Sequence, residues 1–133
     1  MFWFLTAAWT VVNATTTPIN TAITNTSTSS IVEEIDQVFG TSSPIMVQVA
    51  SCESGLREYD ENTGKILRGI VNHDDVGVFQ INIDHHQDEV LATTTNIYTA
   101  HGNILFAKYL FDQSGLQPWA SSKSCWSKAA NSG

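Results

Sequence analysis

A mostly helical α+β fold is what this sequence predicts, on three observations. Apolar residues recur at helical spacing in stretches bounded by capping residues. A Glu-Asn-Thr-Gly turn separates two short stretches able to pair as strands, and a glycine-broken apolar run follows it. The 133 residues leave room for one domain, and 42% hydrophobic against 14% charged residues describes a chain able to form a packed core.

The N-terminal segment differs from the rest. Residues 2–12 are almost wholly apolar, and Val12-Asn13-Ala14 offers small residues where a signal peptidase reads. A membrane-spanning helix needs roughly 20 such residues, whereas a signal h-region needs about 7–15. The expectation is a signal peptide over 1–14 and export to an extracellular, periplasmic or wall-associated location. No lysine or arginine precedes the run, so a membrane-lying anchor or an early start codon stays open. Residues 15–29 are uncharged and rich in threonine and serine, and read as a linker. Two sequons, Asn13-Ala14-Thr15 and Asn25-Thr26-Ser27, would matter only in a eukaryotic secretory setting. The folded domain is placed at 30–127 and a tail at 128–133.

Ser30-Ile31-Val32-Glu33 has the form of a capping box, and Ile31, Ile35, Val38 and Phe39 follow at helical spacing until Gly40. A second helix is expected from Ser43 as N-cap, with Pro44 at the first position, where its missing N–H costs nothing. Ile45, Val49 and Cys52 share its apolar face, with Met46 and Ala50 beside them, and Gly55 is its stop. Residues 56–59 and 65–67 flank the turn Glu61-Asn62-Thr63-Gly64 as a hairpin. Residues 76–83 are strongly apolar around Gly77 and fit either a strand or the start of a helix. A long helix is expected from Asn96 to Gly115, with Ile97, Ile104, Ala107, Tyr109, Leu110 and Phe111 on its apolar faces. Trp119 and Trp126, in the segment beyond it, are expected to pack in the core.

This layout gives Glu53 a chemical consequence. It falls in the last turn of an apolar helix, where the partial negative charge of the helix end and apolar neighbours both disfavour an ionised carboxylate. Its pKa should rise, which suits a general acid. A second carboxylate, Asp75, opens the run Asp75-Val76-Gly77-Val78-Phe79-Gln80-Ile81-Asn82. Two carboxyls in unlike environments are the minimum equipment for cutting a glycosidic bond.

Taken in order, the apolar helix, Cys52-Glu53-Ser54-Gly55, the hairpin, the Asp75 to Asn82 motif, the late helix, Pro118-Trp119 and Cys125-Trp126 resemble the lysozyme-like superfamily of peptidoglycan-cleaving enzymes. Bacterial lytic transglycosylases and animal-type lysozymes belong to it. The likeness covers residues 31–126 and implies a lysozyme-like fold with its β-hairpin beside the active-site groove. Glu53 matches the family's catalytic acid. Gln80 matches the glutamine of the transglycosylases' Gly-Leu-x-Gln motif. Asp75 falls where animal-type lysozymes keep a second catalytic carboxylate, and Asn82 corresponds to an asparagine they use at the sugar site. Ser54 and His73 complete the expected substrate contacts, with His85 an alternative to His73. Cys52 with Cys125 resembles the pairing in resuscitation-promoting factors, a minimal branch of the superfamily. An exported small domain also favours a bridge, and closing so long a loop is worth about 4 kcal/mol. One departure is the lack of an Ala-Tyr-Asn-x-Gly segment after the late helix, which many transglycosylases carry.

Composition narrows the partners. A net charge of −7 and a pI near 4.7 argue against nucleic acid and against strong binding to anionic membranes. Peptidoglycan glycan strands are the expected partner, met by a monomer without metal or organic cofactor. A cysteine peptidase using Cys52 and His101 is disfavoured, because a helix C-terminus and Glu53 both raise a thiol's pKa. A metal site among His73, Asp74, Asp75, Asp84, His85, His86 and Asp88 lacks the His-Glu-x-x-His helix pattern, and solvated loop residues lining a groove are the favoured reading. A glycan-binding module without activity is the remaining alternative, since a fold does not dictate its chemistry. The expected reaction is cleavage of the β-1,4 bond between N-acetylmuramic acid and N-acetylglucosamine, by hydrolysis or by transglycosylation.

Overall fold

A computed structural model describes residues 28–131; the expected signal peptide, both sequons and residues 15–27 of the expected linker lie outside these. The architecture is α+β, with five α-helices around one small antiparallel sheet among the described residues. Helix α1 (Thr28–Phe39) starts two residues before the expected N-cap, so Ser30 lies inside the helix. Its buried stripe is Ile31, Ile35 and Phe39. A 3-10 turn (Gly40–Ser42) leads into α2 (Ser43–Ser54), whose N-cap position is Ser42 rather than Ser43. Ser43 is buried instead, and its hydroxyl donates to Asp36 Oδ1, fastening the start of α2 to α1. The core-facing stripe of α2 is Met46, Val49 and Ala50, with Ile45 and Cys52 at its edges. Gly55 ends the helix in the left-handed conformation (φ +66°) that a side chain would strain, and its N–H reaches Ser51 O at 3.0 Å.

The expected hairpin is minimal. One bridge, Tyr59 to Ile66, holds it, with Asp60 N–H to Lys65 O and Leu67 N–H to Glu58 O both at 2.8 Å. Asp60 Oδ1 accepts from Asn62 N, Thr63 N and Thr63 Oγ1, so the turn is organised by an aspartate ahead of it. A second bridge, Arg68 to Val76, joins the hairpin to β1 (Asp75–Val76), which pairs antiparallel with β2 (Ile81–Asn82) in the register Asp75 opposite Asn82. The apolar run 76–83 is therefore a strand, a tight turn and a strand.

Helix α3 (Gln87–Thr93) was not expected from the sequence. Helix α4 (Ala100–Ser114) begins four residues after Asn96, because Thr99 takes the N-cap and its hydroxyl accepts from Gly102 N at 3.1 Å. A 3-10 stretch (Gln117–Ser122) follows, then α5 (Lys123–Ala130), which runs into the first residues of the expected 128–133 tail.

The core joins the helices to the 77–80 turn. Phe79 packs between Phe39 at 5.8 Å and Trp119 at 5.7 Å, contacts worth about 0.5–1.5 kcal/mol each beyond area burial. Trp119 Nε1 donates to Phe79 O and Trp126 Nε1 to Trp119 O, both at 3.0 Å, so each buried indole has its partner. Both tryptophans are core residues, as expected. Cys52 and Cys125 are bonded, with Cα atoms 6.1 Å apart, and tie the end of α2 to α5. Among the described residues no helix is long and apolar enough to cross a membrane.

Candidate active site

Glu53 stands one residue before the end of α2, a place set by the Gly55 stop. Its half-buried carboxyl meets the chain again 69 residues on, where Ser122 Oγ lies 2.5 Å from Glu53 Oε1. Burial is the main influence on its acidity and raises the pKa; the Ser122 hydroxyl opposes the rise, and the charge of Asp75 adds to it. The same Ser122 oxygen lies 3.1 Å from Trp119 O. A hydroxyl carries one proton and cannot donate to both oxygens at once. With Glu53 protonated through Oε1, the acid donates to Ser122 Oγ and Ser122 donates to Trp119 O, so both hydroxyl protons have an acceptor. With Glu53 ionised, the hydroxyl turns to the carboxylate. Ser122 can therefore serve either protonation state by rotating one bond.

Asp75 comes from β1 and Asn82 from its cross-strand partner position on β2. The register puts the two side chains on one face, where Asn82 Nδ2 donates to Asp75 Oδ1 at 2.8 Å. Asn82 Oδ1 accepts from His85 N at 2.8 Å, which also fixes its amide. Gln80 closes the turn between the strands at φ +47°, a left-handed backbone costing about 1–2 kcal/mol for a non-glycine residue. Its backbone and side-chain N–H groups both donate to Gly77 O, at 3.1 and 2.9 Å.

Two clefts meet at these side chains. One, of about 540 Å³, is lined by Glu53, Asp75, Gln80 and Asn82 together with His85, His86, Glu89 and Gln117. The other, of about 400 Å³, again has Glu53, Asp75 and Gln80, now with Arg57, Arg68, Ile70, Val71 and Asn72. Glu53, Asp75 and Gln80 thus sit where the two clefts join, with room for ligand on either side.

The turn that carries Gln80 is braced from behind by two residues that sequence reasoning missed. Glu58 is 1% exposed; its Oε2 accepts from Val78 N at 2.9 Å, while its buried Oε1 has no hydrogen-bond partner. Burial pushes its pKa up to about 8, against the opposing Val78 bond, so the side chain is largely neutral at pH 7. Asn103 of α4 accepts from Phe79 N at 2.8 Å and donates to Val76 O and Ile97 O at 2.9 and 3.1 Å. Gly77 must be glycine here, because a Cβ would stand 2.4 Å from Glu58 Oε2 and 2.6 Å from Asn103 Nδ2. The glycine was visible in the sequence, but what crowds it was not.

The structure brings Glu53, Asp75, Gln80 and Asn82 together. Ser54 borders the second cleft, yet its buried hydroxyl donates to Ala50 O and accepts from Arg57 N, both at 3.1 Å. It shapes the exit from α2, and its hydroxyl is already committed where a substrate contact was expected. His73, expected at the substrate, is exposed and lines neither of these two clefts, and its carbonyl accepts from Arg68 Nη1 at 3.2 Å. His85 and His86 line the first cleft, and His86 Nδ1 pairs with Glu89. The peptidase pair does not form, since Cys52 is in the disulfide and His101 pairs with Glu34. Among the described residues, no three His, Cys, Asp or Glu side chains converge as metal ligands. No family model, curated protein or solved structure matches this chain.

Proposed function

We propose that this protein cleaves the β-1,4 bond between N-acetylmuramic acid and N-acetylglucosamine in peptidoglycan, with Glu53 as general acid. The observation that carries this reading is the placement of Glu53. Burial raises its pKa, which favours the protonated form a general acid needs, and it lies where two clefts meet, as a bond in the middle of a polymer requires. Glu53 gives its proton to the glycosidic oxygen as the C–O bond breaks, and Ser122 turns its hydroxyl to the new carboxylate. Asp75, held by Asn82, faces the positive charge that develops at the anomeric carbon.

Two endings share this beginning. In hydrolysis, water attacks the anomeric carbon while Glu53 takes back a proton. In transglycosylation, the substrate's own hydroxyl closes on that carbon and returns its proton to Glu53. Neither requires a metal or organic cofactor. Export and a monomeric state fit a wall-active enzyme and belong to the proposal. Mass spectrometry of digested peptidoglycan tests it: anhydro-muramyl ends mean transglycosylation, and reducing muramyl ends mean hydrolysis. A digest with no released fragments, or undiminished release by Glu53→Gln, would overturn the assignment.

A further inference from the structure

The two clefts that meet at Glu53 differ in charge. The first is lined by Glu53, Asp75 and Glu89 and by no lysine or arginine. The second shares Glu53 and Asp75 but adds Arg57 and Arg68, in a chain with only six basic residues against thirteen acidic ones. Both guanidinium groups are anchored. Arg57 Nε donates to Ser54 O at 2.9 Å, and Arg68 donates to His73 O and lies over the Tyr98 ring at 5.7 Å from its centroid. Each of these bonds uses one nitrogen of a group with five N–H donors, so both arginines keep donors for a ligand. Asp60 is within electrostatic reach of Arg57, but its carboxylate is committed to its own turn through Asn62 and Thr63.

Beside the arginines the cleft wall is apolar and unburied. Ile70 is 95% exposed and Val71 100% exposed, the two most exposed large apolar side chains described. Cations fixed next to uncovered aliphatic surface suit a ligand that combines carboxylates with small apolar groups. An N-acetylglucosamine ring has no carboxylate and only an acetamido methyl as apolar group; a short acidic peptide has both features.

We infer that the Arg57, Arg68, Ile70 and Val71 cleft binds the acidic peptide carried on the lactyl arm of muramic acid, so that peptide-bearing strands are preferred over bare ones. This rests on the glycan-cleaving reading above. A free lactyl carboxylate shares the anionic chemistry but offers the exposed aliphatic pair only its single methyl group.

The test measures binding to full-length protein carrying Glu53→Gln, so that no ligand is consumed. Three ligands of equal sugar length are compared: peptide-bearing glycan, the same glycan after amidase treatment, and a neutral N-acetylglucosamine oligomer. Peptide-bearing glycan should bind about tenfold tighter than the amidase product, the scale of one charge-assisted hydrogen bond. The advantage should shrink with added salt and collapse in Arg68→Gln, while Arg68→Lys keeps part of it. Ile70→Ser with Val71→Ser, at exposed positions that folding does not need, should reduce it as well. If the amidase product binds as tightly as the peptide-bearing glycan, the lactyl carboxylate alone is recognised and the inference fails. An advantage unmoved by salt and by both sets of variants also overturns it. If none of the three ligands binds, the glycan reading falls and this inference with it.

Discussion

Glu53 and Glu58 are five residues apart, on either side of the Gly55 stop, and burial raises the pKa of both. Their surroundings differ in everything else. Glu53 opens onto two clefts, has a second carboxylate near it and a hydroxyl that can follow its proton. Glu58 is sealed under the 77–80 turn, spends one oxygen on Val78 N–H and leaves the other without a partner. A perturbed carboxyl marks a candidate site only when substrate can reach it. By that criterion Glu58, the more strongly perturbed of the two, is a brace, and Glu53 is the candidate for the proposed general acid.

The sharpest way to break this contrast is to make the same substitution at both positions. Glu53→Gln should lower peptidoglycan turnover by about 10²–10⁴-fold with little change in Tm, because it removes the proton donor and keeps the shape. Glu58→Gln should retain most of the turnover. Equal losses at the two positions would erase the distinction.

Reduction of Cys52–Cys125 comes next. It should cost about 4 kcal/mol in denaturant unfolding, on the chain-entropy estimate for the 73-residue separation. Because the bond anchors the Glu53 end of α2, turnover should fall with stability, measured as loss of product release on titration with reductant.

Glu58 also predicts a pH dependence of stability. Its folded pKa of about 8 lies above the ordinary 4.5, so the folded state holds a proton that the unfolded state has lost between those values. Its contribution is complete below pH 4.5 and is lost as pH rises to about 8. Glu58→Gln should flatten that decline in Tm measured from pH 5 to 9. Glu58→Ala should instead cost about 1–3 kcal/mol at pH 5, since it leaves Val78 N–H buried without an acceptor.

The smallest effect refines the Glu53 side. Asp75→Asn removes the charge that helps raise the Glu53 pKa, so the alkaline limb of the pH–rate profile should move to lower pH. Its effect on rate separates the two endings: a large fall means Asp75 supports the charged centre, and an unchanged rate favours transglycosylation without it. A limb that stays in place would show that the Asp75 charge does not reach Glu53.

What could be read along the chain was whatever local rules govern. Helical spacing and the Gly40, Gly55 and Gly115 stops located α1, α2 and α4 to within a few residues, and with α2 came the position of Glu53. Helix α3 escaped because Gln87–Thr93 is short and contributes no fully buried residue, so no apolar stripe announces it. Asp75 was legible as the carboxylate that opens the motif and Asn82 through the family resemblance, but their pairing across two short strands was not, because the run 76–83 fitted a strand or a helix equally.

The sequence by itself determined that a carboxyl would end an apolar helix, with a second carboxylate and an amide on the motif that follows. Only the tertiary structure decided that Ser122 meets Glu53, that Asn103 holds the turn behind Gln80, that His73 stays outside and that Glu58 is closed off. Helix spacing and capping act over a few residues and can be read in order. Burial and hydrogen bonds between distant segments depend on what packs against a residue from 20 to 70 positions away, and no local pattern encodes that.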